Sequence, residues 1–262
     1  MRVATLNVWH RSNPWNARLA AIRAELRALQ PDILGLQETL RSVDPAAGDD
    51  QPGEIAEGFG YHVAYAPACV WGGVTHFGNA LLSRFPVLES RREALPGHAD
   101  EARSYVYALL DTPLGRTPVF VTHLAWRPED FMTRIRQVEF LKQRIDEIAP
   151  HSDASLLPPI LMGDLNAEPD SREMQLLCTD WIDAWVEAGD GTTGHTWDRK
   201  NEYTHAHDVH SQRIDYIWLR TPLGRVTIQN TRLAFCTQHG SVWPSDHFGL
   251  VSELGISPAG AR

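Results

Sequence analysis

The chain is short of sulfur, of long apolar runs and of basic charge. Cysteine occurs three times in 262 residues, as Cys69, Cys178 and Cys236. An odd number, widely spaced and without a CxxC word, excludes a disulfide framework and a thiolate zinc site; three buried, inert thiols are expected. No apolar run approaches the length of a membrane span, and the first strand-like run starts at Arg2 or Val3, leaving no room for a charged and apolar leader. A cytoplasmic protein with no transmembrane segment is the expectation. Lys and Arg number 24 against 33 Asp and Glu, a formal charge of −9. Proteins that hold long nucleic acids present a basic face, because phosphate neutralisation releases counterions. The densest basic stretches, 84–92 and 134–144, are broken by acids and apolar residues, so tight duplex binding is not expected. An acidic total can still conceal a basic cleft, for which Arg84, Arg103 and Arg127 are the candidates.

What is present is an alternation of strand-like and helix-like segments. Apolar runs at 3–8, 33–36 and 160–162 read as buried strands, and 61–65, 80–83, 87–93, 104–111 and 118–124 as further strands, with Pro113-Leu114-Gly115 turning a hairpin. Trp15, Leu19, Ile22, Leu26 and Leu29 recur at helical spacing behind Asn13-Pro14, which reads as a cap followed by a first-turn proline. Residues 41–60 read as a surface loop with one short helix around Ile55. A long helix is predicted over 129–148, with Phe131, Ile135, Val138, Leu141, Ile145 and Ile148 on one face. Helices at 171–177 and 181–188, a polar loop to His210, and strands at Ile214, Val226 and Phe248 complete the chain. By its length this is one domain over 1–262, of the α/β class with mixed sheets.

Polar words stand at the ends of the apolar runs: Thr5-Leu6-Asn7, Gln37-Glu38, Gly163-Asp164-Leu165-Asn166 and Ser245-Asp246-His247. Burying unpaired polar groups costs free energy, so a core has no use for them there. A hard divalent cation and a phosphate do, since they need oxygen ligands, an activated water and donors to developing charge. Each word alone has a plain structural use; the GDLN word, for example, suits an Asx-turn ahead of Pro169. His205, His207 and His210 form a tract that could bind Zn2+, but they read as a solvated loop.

The order Asn7, Glu38, Val121-Thr122-His123-Leu124, Gly163-Asp164-Leu165-Asn166, Arg213-Ile214-Asp215-Tyr216 and Ser245-Asp246-His247 resembles the endonuclease/exonuclease/phosphatase superfamily, from Leu6 to His247. The resemblance implies a four-layered α/β sandwich, two mixed β-sheets face to face with helices outside, whose loops converge on one cleft. It implies a Mg2+ or Mn2+ dependent hydrolase of phosphate esters, a phosphodiesterase using water as nucleophile. No residue of the set is an evident nucleophile, so no covalent intermediate is expected. Carried over residue by residue, Asn7 and Glu38 hold the metal, with Asp246 as a further ligand or neighbour. Asp164 orients or deprotonates the water, Asn166 donates to a phosphate oxygen, and His123 stabilises phosphoryl oxygens or protonates the leaving group. His247 is a general base or a proton-bearing donor. Asp215 either partners an imidazole or orients Asp164.

Arg103 is a candidate for the phosphate or for an ion pair with Glu101, and Trp71, in a glycine-rich loop over 71–79, a candidate stacking surface. Ser211-Gln212 stands where apurinic endonucleases carry a Trp, and Arg213-Ile214-Asp215-Tyr216-Ile217 is closer to the sphingomyelinase-like, deadenylase-like and inositol phosphatase-like branches. Two alternatives stand beside the phosphodiesterase. One is a nuclease on short or single-stranded DNA or RNA, stacking bases on Trp71, Trp126 and Trp197. The other is a non-catalytic binding module on the same scaffold. No obligate protein partner is evident.

Overall fold

Strands as continuously apolar as 3–8 and 160–162 have no solvent face, so each must be covered on both sides. In the computed structural model, which describes residues 1–224 and 226–257, they are. Positions 225 and 258–262 of the expected domain lie outside the described residues. The elements are β1 (Arg2–Asn7), α1 (Trp15–Leu29), β2 (Ile33–Ser42), α2 (Gln51–Ala56), β3 (His62–Trp71), β4 (Thr75–Ser83), β5 (Val87–Ala94), β6 (Ser104–Thr112), β7 (Gly115–His123), α3 (Phe131–Ile148), β8 (Ile160–Asp164), α4 (Arg172–Leu177), β9 (Trp181–Asp183), α5 (Ala184–Ala188), β10 (Asp215–Arg220), β11 (Val226–Ala234) and β12 (Gly249–Ile256). One sheet has the order β11-β12-β1-β2-β4-β3, the other β5-β6-β7-β8-β10-β9. Both are mixed: β1 runs parallel to β2 and antiparallel to β12, and β8 parallel to β7 and antiparallel to β10.

Three apolar layers hold four structural layers. Between the sheets, Val3, Ile33 and Leu81 meet Val119, Val121, Ile160, Met162 and Ile217. On one outer side Ala4, Leu6, Leu34 and Leu36 pack against Ile22, Leu26 and Leu29 of α1; on the other Phe120 and Leu161 pack against Val138, Leu141 and Ile145 of α3. The expected four-layered sandwich is therefore the fold. The sheets approach closely at Gly35, where a Cβ would stand 3.0 Å from Val121.

Gly163 is a position where only glycine fits. Its φ is +143°, and a Cβ would lie 1.9 Å from the Thr122 carbonyl oxygen on β7. Gly163→Ala is expected to cost roughly 3 kcal/mol or more, from left-handed strain plus the clash. Urea unfolding measures it; a loss below about 1 kcal/mol would contradict this account.

Several boundaries differ from those read in the sequence. The α1 helix begins at Trp15, and Pro14 holds the cap position without a side-chain bond. At ψ 91° Pro14 is still extended, so Asn13 does not cap. β2 runs on to Ser42 through residues assigned to a loop, because β4 supplies a pairing strand there; the short helix around Ile55 is α2. Trp71 and Thr75 are paired residues of the β3–β4 hairpin, so the glycine-rich loop shrinks to a turn. Trp181 opens a short strand against β10 rather than a helix. Phe131 is exposed, off the buried face of α3. Cys178 is exposed and Cys69 and Cys236 are half-buried, not three buried thiols; all are free. Among the described residues, no helix is long and apolar enough to cross a membrane.

Candidate active site

Side chains on a strand alternate between its faces, so the parity that sends apolar residues between the sheets carries polar ones to the same face at strand ends. Val3 sets the parity for Asn7, Val119 and Val121 for His123, Ile160 and Met162 for Asp164, and Ile217 and Leu219 for Asp215. Register completes the alignment: His123 lies beside Asp164 and Asp164 beside Asp215 on three neighbouring strands. Glu38 is not at a strand end. It sits within β2 at φ +57°, where the pairing to β4 slips between Leu36 and Thr39. A bulge re-aims one side chain, and here it puts Glu38 next to Asn7.

Asp164 is the centre of the cluster. Its Oδ2 accepts from Asn7 Nδ2 at 2.9 Å and lies 3.4 Å from His123 Nε2 and 3.8 Å from His247 Nε2; its Oδ1 accepts from the Asn166 amide at 2.9 Å. That last bond is the Asx-turn, so GDLN serves both as turn and as site. Burial, then the charge of Asp215, pushes the Asp164 carboxyl up to about 7. Of the two uses open to Asp215, the structure realises the imidazole partner: its Oδ2 is 2.9 Å from His247 Nδ1. Burial alone would lower the His247 pKa, but Asp215, Asp164 and Asp246 outweigh it and hold the imidazole well above its usual value. Asp164, Asp215 and His247 bring ligand-type atoms within 4.8 Å of one another. With His247 protonated, that trio already contains its own cation.

His123 has the opposite environment. Arg103 Nη1 is 3.0 Å from its Nδ1. A guanidinium can only donate, so Nδ1 accepts and the proton of the neutral ring sits on Nε2, 3.4 Å from Asp164 Oδ2. The Asn166 Nδ2, which donates to the Leu124 carbonyl, comes within 2.9 Å of the same Nε2 as a second donor, not as a hydrogen-bond partner of that proton. Burial, Arg103 and His247 all push its pKa well below the ordinary value. Arg103 also donates to Glu101 Oε1 at 3.1 Å, both side chains being buried. It combines the two uses open to it by pairing with Glu101 and fixing the imidazole, which leaves it less free for a substrate phosphate.

Of the residues expected at a cation, Asn7 turns its amide nitrogen toward Glu38 (3.1 Å) and Asp164, while its carbonyl oxygen accepts from the Trp9 amide. In this arrangement Asn7 orients carboxylates, and the oxygens open to a cation belong to Glu38 and Asp246. Asp246 is buried, and burial with the nearby Glu38 charge pushes its carboxyl up to about 7. Ser245 Oγ ties this loop to β1 by donating to the Asn7 carbonyl at 2.7 Å. Trp71 is 42 % exposed, stacked on Phe77 and edge-on to His10, which itself senses Glu38; it stands at the rim. Trp197 meets the His247 ring edge-on at 5.0 Å. His205, His207 and His210 are exposed, peripheral as expected. Arg84, Arg103 and Arg127 do not form a basic cleft: Arg127 pairs with Asp100 and Glu101, and Arg84 lies beside Asp32, at the far end of β2 from the site.

One contributor was not read from the sequence. Arg18, fully buried in α1, donates to the carbonyls of Val8, Trp9, His10, Ser12 and Pro244, between 2.7 and 3.1 Å. Thr196 Oγ1 accepts from the Ile214 and Asp215 amides. A charged residue within an apolar helical stripe was the available signal for Arg18.

Carboxylates and imidazoles are thus gathered at the facing strand ends of a two-sheet sandwich. Residues 4–247 match the Endonuclease/Exonuclease/phosphatase family, and the chain belongs to it. Exodeoxyribonuclease III of Haemophilus influenzae is 27 % identical over 167 residues, 62 % of this chain and 57 % of that protein, so the chain spans little more than half the length of this relative. Among solved structures, truncated TDP2 of Caenorhabditis elegans is 22 % identical with a TM-score of 0.76, covering 96 % of each chain. The mannosyl-6-phosphatase Bt3783 of Bacteroides thetaiotaomicron is 17 % identical with a TM-score of 0.77, covering 98 % of this chain and all of that one. At these identities the two structures speak for the fold.

Proposed function

We propose that the chain is a divalent-metal-dependent hydrolase of phosphate esters, acting on small or short-chain phosphodiesters with water as nucleophile. The observation that carries this reading is the placement of Asp164 among Asn7, Asn166, a neutral His123 and a protonated His247. A carboxylate poised near 7 is matched to taking a proton from water at neutral pH. The His247 imidazolium, anchored by Asp215, and the His123 Nε2–H are positioned to donate to phosphate oxygens, and Asn166 adds a side-chain donor beside them. The donor set fits a hard cation: four carboxylates, of Glu38, Asp164, Asp215 and Asp246, face two nearby cations, His247 and Arg18. Glu38 and Asp246 would hold Mg2+ or Mn2+, which when bound neutralises charge developing on the phosphate and the leaving oxygen.

The names of the relatives span diester and monoester chemistry, exodeoxyribonuclease and mannosyl-6-phosphatase among them. A panel of bis-p-nitrophenyl phosphate, p-nitrophenyl phosphate, phosphorylcholine esters, short oligonucleotides and duplex DNA, each with Mg2+, Mn2+ or EDTA, tests the reading. Diester hydrolysis is expected to vanish in EDTA and return with either metal, with duplex DNA a poor substrate. Full activity in chelator, with metal removal verified, overturns it. A nuclease on short or single-stranded nucleic acid is the second reading, favoured by exposed Trp71 and Trp126 at 42 and 53 %. Efficient cleavage of short single strands over the small diester would favour that reading, and efficient duplex cleavage with a steep inverse salt dependence would move the assignment to a duplex nuclease.

Metal binding should depend on pH in a defined direction. Asp164 and Asp246 have carboxyls raised from 3.8 to about 7. Their contribution to folding is therefore complete below the unfolded value and is lost as pH rises from about 4 to 7, when both must ionise while buried. A cation offsets that loss only where they are ionised. Mg2+ is expected to raise Tm more at pH 8 than at pH 5.5 relative to EDTA; equal shifts would count against these carboxylates.

A further inference from the structure

Far from the catalytic cluster, at the opposite end of β2, α1 and the segment after α2 enclose a cavity of about 410 Å3 lined by Arg23, Arg27, Gln30, Glu57, Phe59 and Arg84. Arg84 follows β4 and donates its backbone amide to the Asp32 carbonyl just before β2. Glu38 is six residues further along the chain, roughly 20 Å away at about 3.3 Å per residue. Arginine at three lining positions is unexpected in a chain of formal charge −9. Arg23 and Arg27 are four apart on one helix, a like-charge pairing that is unfavourable by itself. Arg23 donates to the Glu54 carbonyl and to Glu57, the only acid among the lining residues, and Glu57 is 80 % exposed. Arg27 faces the Phe59 ring and has no acidic partner among the described residues. Arg84 lies over the Tyr61 ring with its Nε buried and without a hydrogen-bond partner. The nearby Asp32 carboxylate is engaged by the Arg2 amide.

We propose that this cavity is a binding site for a small oligophosphate anion. Three guanidiniums against one carboxylate leave an excess of two positive charges, which a phosphate-type polyanion matches. Planar guanidiniums are suited to bidentate contact with phosphate oxygens, and the volume is that of a small-ligand pocket. An anion in the cavity relieves the Arg23–Arg27 repulsion and supplies an acceptor to Arg27, which has no acidic partner among the described residues.

Isothermal titration of the full chain with pyrophosphate in EDTA, which keeps metal out of the catalytic cluster, tests this. One pyrophosphate per chain is expected to bind. Arg27→Gln should weaken it roughly tenfold and the Arg27→Gln/Arg84→Gln pair further, as expected for lost charge-assisted hydrogen bonds. Arg27 is exposed, so its variant should remain folded and should hydrolyse the small diester at the wild-type rate. An ADP arm separates the sources of the anion: equal affinity assigns recognition to the oligophosphate alone, tighter binding adds a base on the Phe59 ring, and either supports the site. No saturable binding overturns the proposal, as does binding that His247→Ala abolishes and Arg27→Gln leaves intact, or competition by long oligonucleotides alone.

Discussion

Asp164→Asn is expected to lower kcat for a small phosphodiester at least ~100-fold while the protein stays folded, since general-base contributions run from about a hundred- to ten-thousandfold. Asparagine keeps the shape of the side chain and can still accept from the Asn166 amide, but it cannot take a proton from water. The buried carboxylate has its pKa pushed up to about 7 by burial and Asp215. Removing that charge relieves a desolvation cost, which offsets the acceptor lost by Asn7. Melting temperature at pH 8 should therefore stay close to wild type. His247→Ala should lose comparable activity for a different reason and with a different signature. It strips the Asp215 carboxylate of the one partner it has among the described residues, leaving it fully buried and unpaired, so stability should fall as well. Steady-state kinetics with circular dichroism melts on both variants decides it; an Asp164→Asn enzyme retaining more than about a tenth of wild-type kcat sinks the assignment of the base.

The contrast between those two variants rests on contacts that differ in how far the sequence disclosed them. Asn7, His123, Asp164 and Asp215 were legible because apolar alternation fixes which face a strand end presents, and the family resemblance put the words in order. The sequence left Asp215 between two uses, partnering an imidazole or orienting Asp164; the choice was not legible, since Asp215 is 32 residues from His247 and meets it only once the sheet holding β10 faces the sheet holding β12. Glu38 was found as a residue but not as a geometry: Gln37, Glu38 and Thr39 break the apolar pattern, and only pairing with β4 shows that they continue the strand through a bulge. Trp71 was misplaced in a loop for the same reason, its strand being set by Thr75 across the hairpin. Arg103 illustrates a further limit. Its two contacts, Glu101 and His123, were each within reach of inference, but their combination, and the tautomer it imposes, needs the coordinates of both.

Arg18 gives the largest stability effect expected of any single side chain here. Five backbone carbonyls, of Val8, Trp9, His10, Ser12 and Pro244, accept from one fully buried guanidinium. Trp9 and His10 both have positive φ, 53° and 33°, a turn that non-glycine residues adopt at a cost. Arg18 holds that turn together and joins it to the loop leading into Ser245 and Asp246. Burial lowers its pKa to about 10, against the pull of Asp246, Tyr203 and Glu38, so it remains a cation at neutral pH. Arg18→Met would leave several buried carbonyls without donors and withdraw a positive charge from the carboxylate cluster. At about 1–3 kcal/mol for each group left unsatisfied, partly relieved by water entry, a loss of roughly 4 kcal/mol or more is expected. Lysine should not rescue it, because three donors cannot serve five acceptors arranged for a planar fork. The turn lies between Asn7 and the Asp246 loop, so kcat should fall too, even at temperatures where the variant is folded. Urea unfolding of wild type, Arg18→Met and Arg18→Lys provides the measurement. If either variant unfolds within about 1 kcal/mol of wild type, the guanidinium is not what holds the β1 turn against the Asp246 loop.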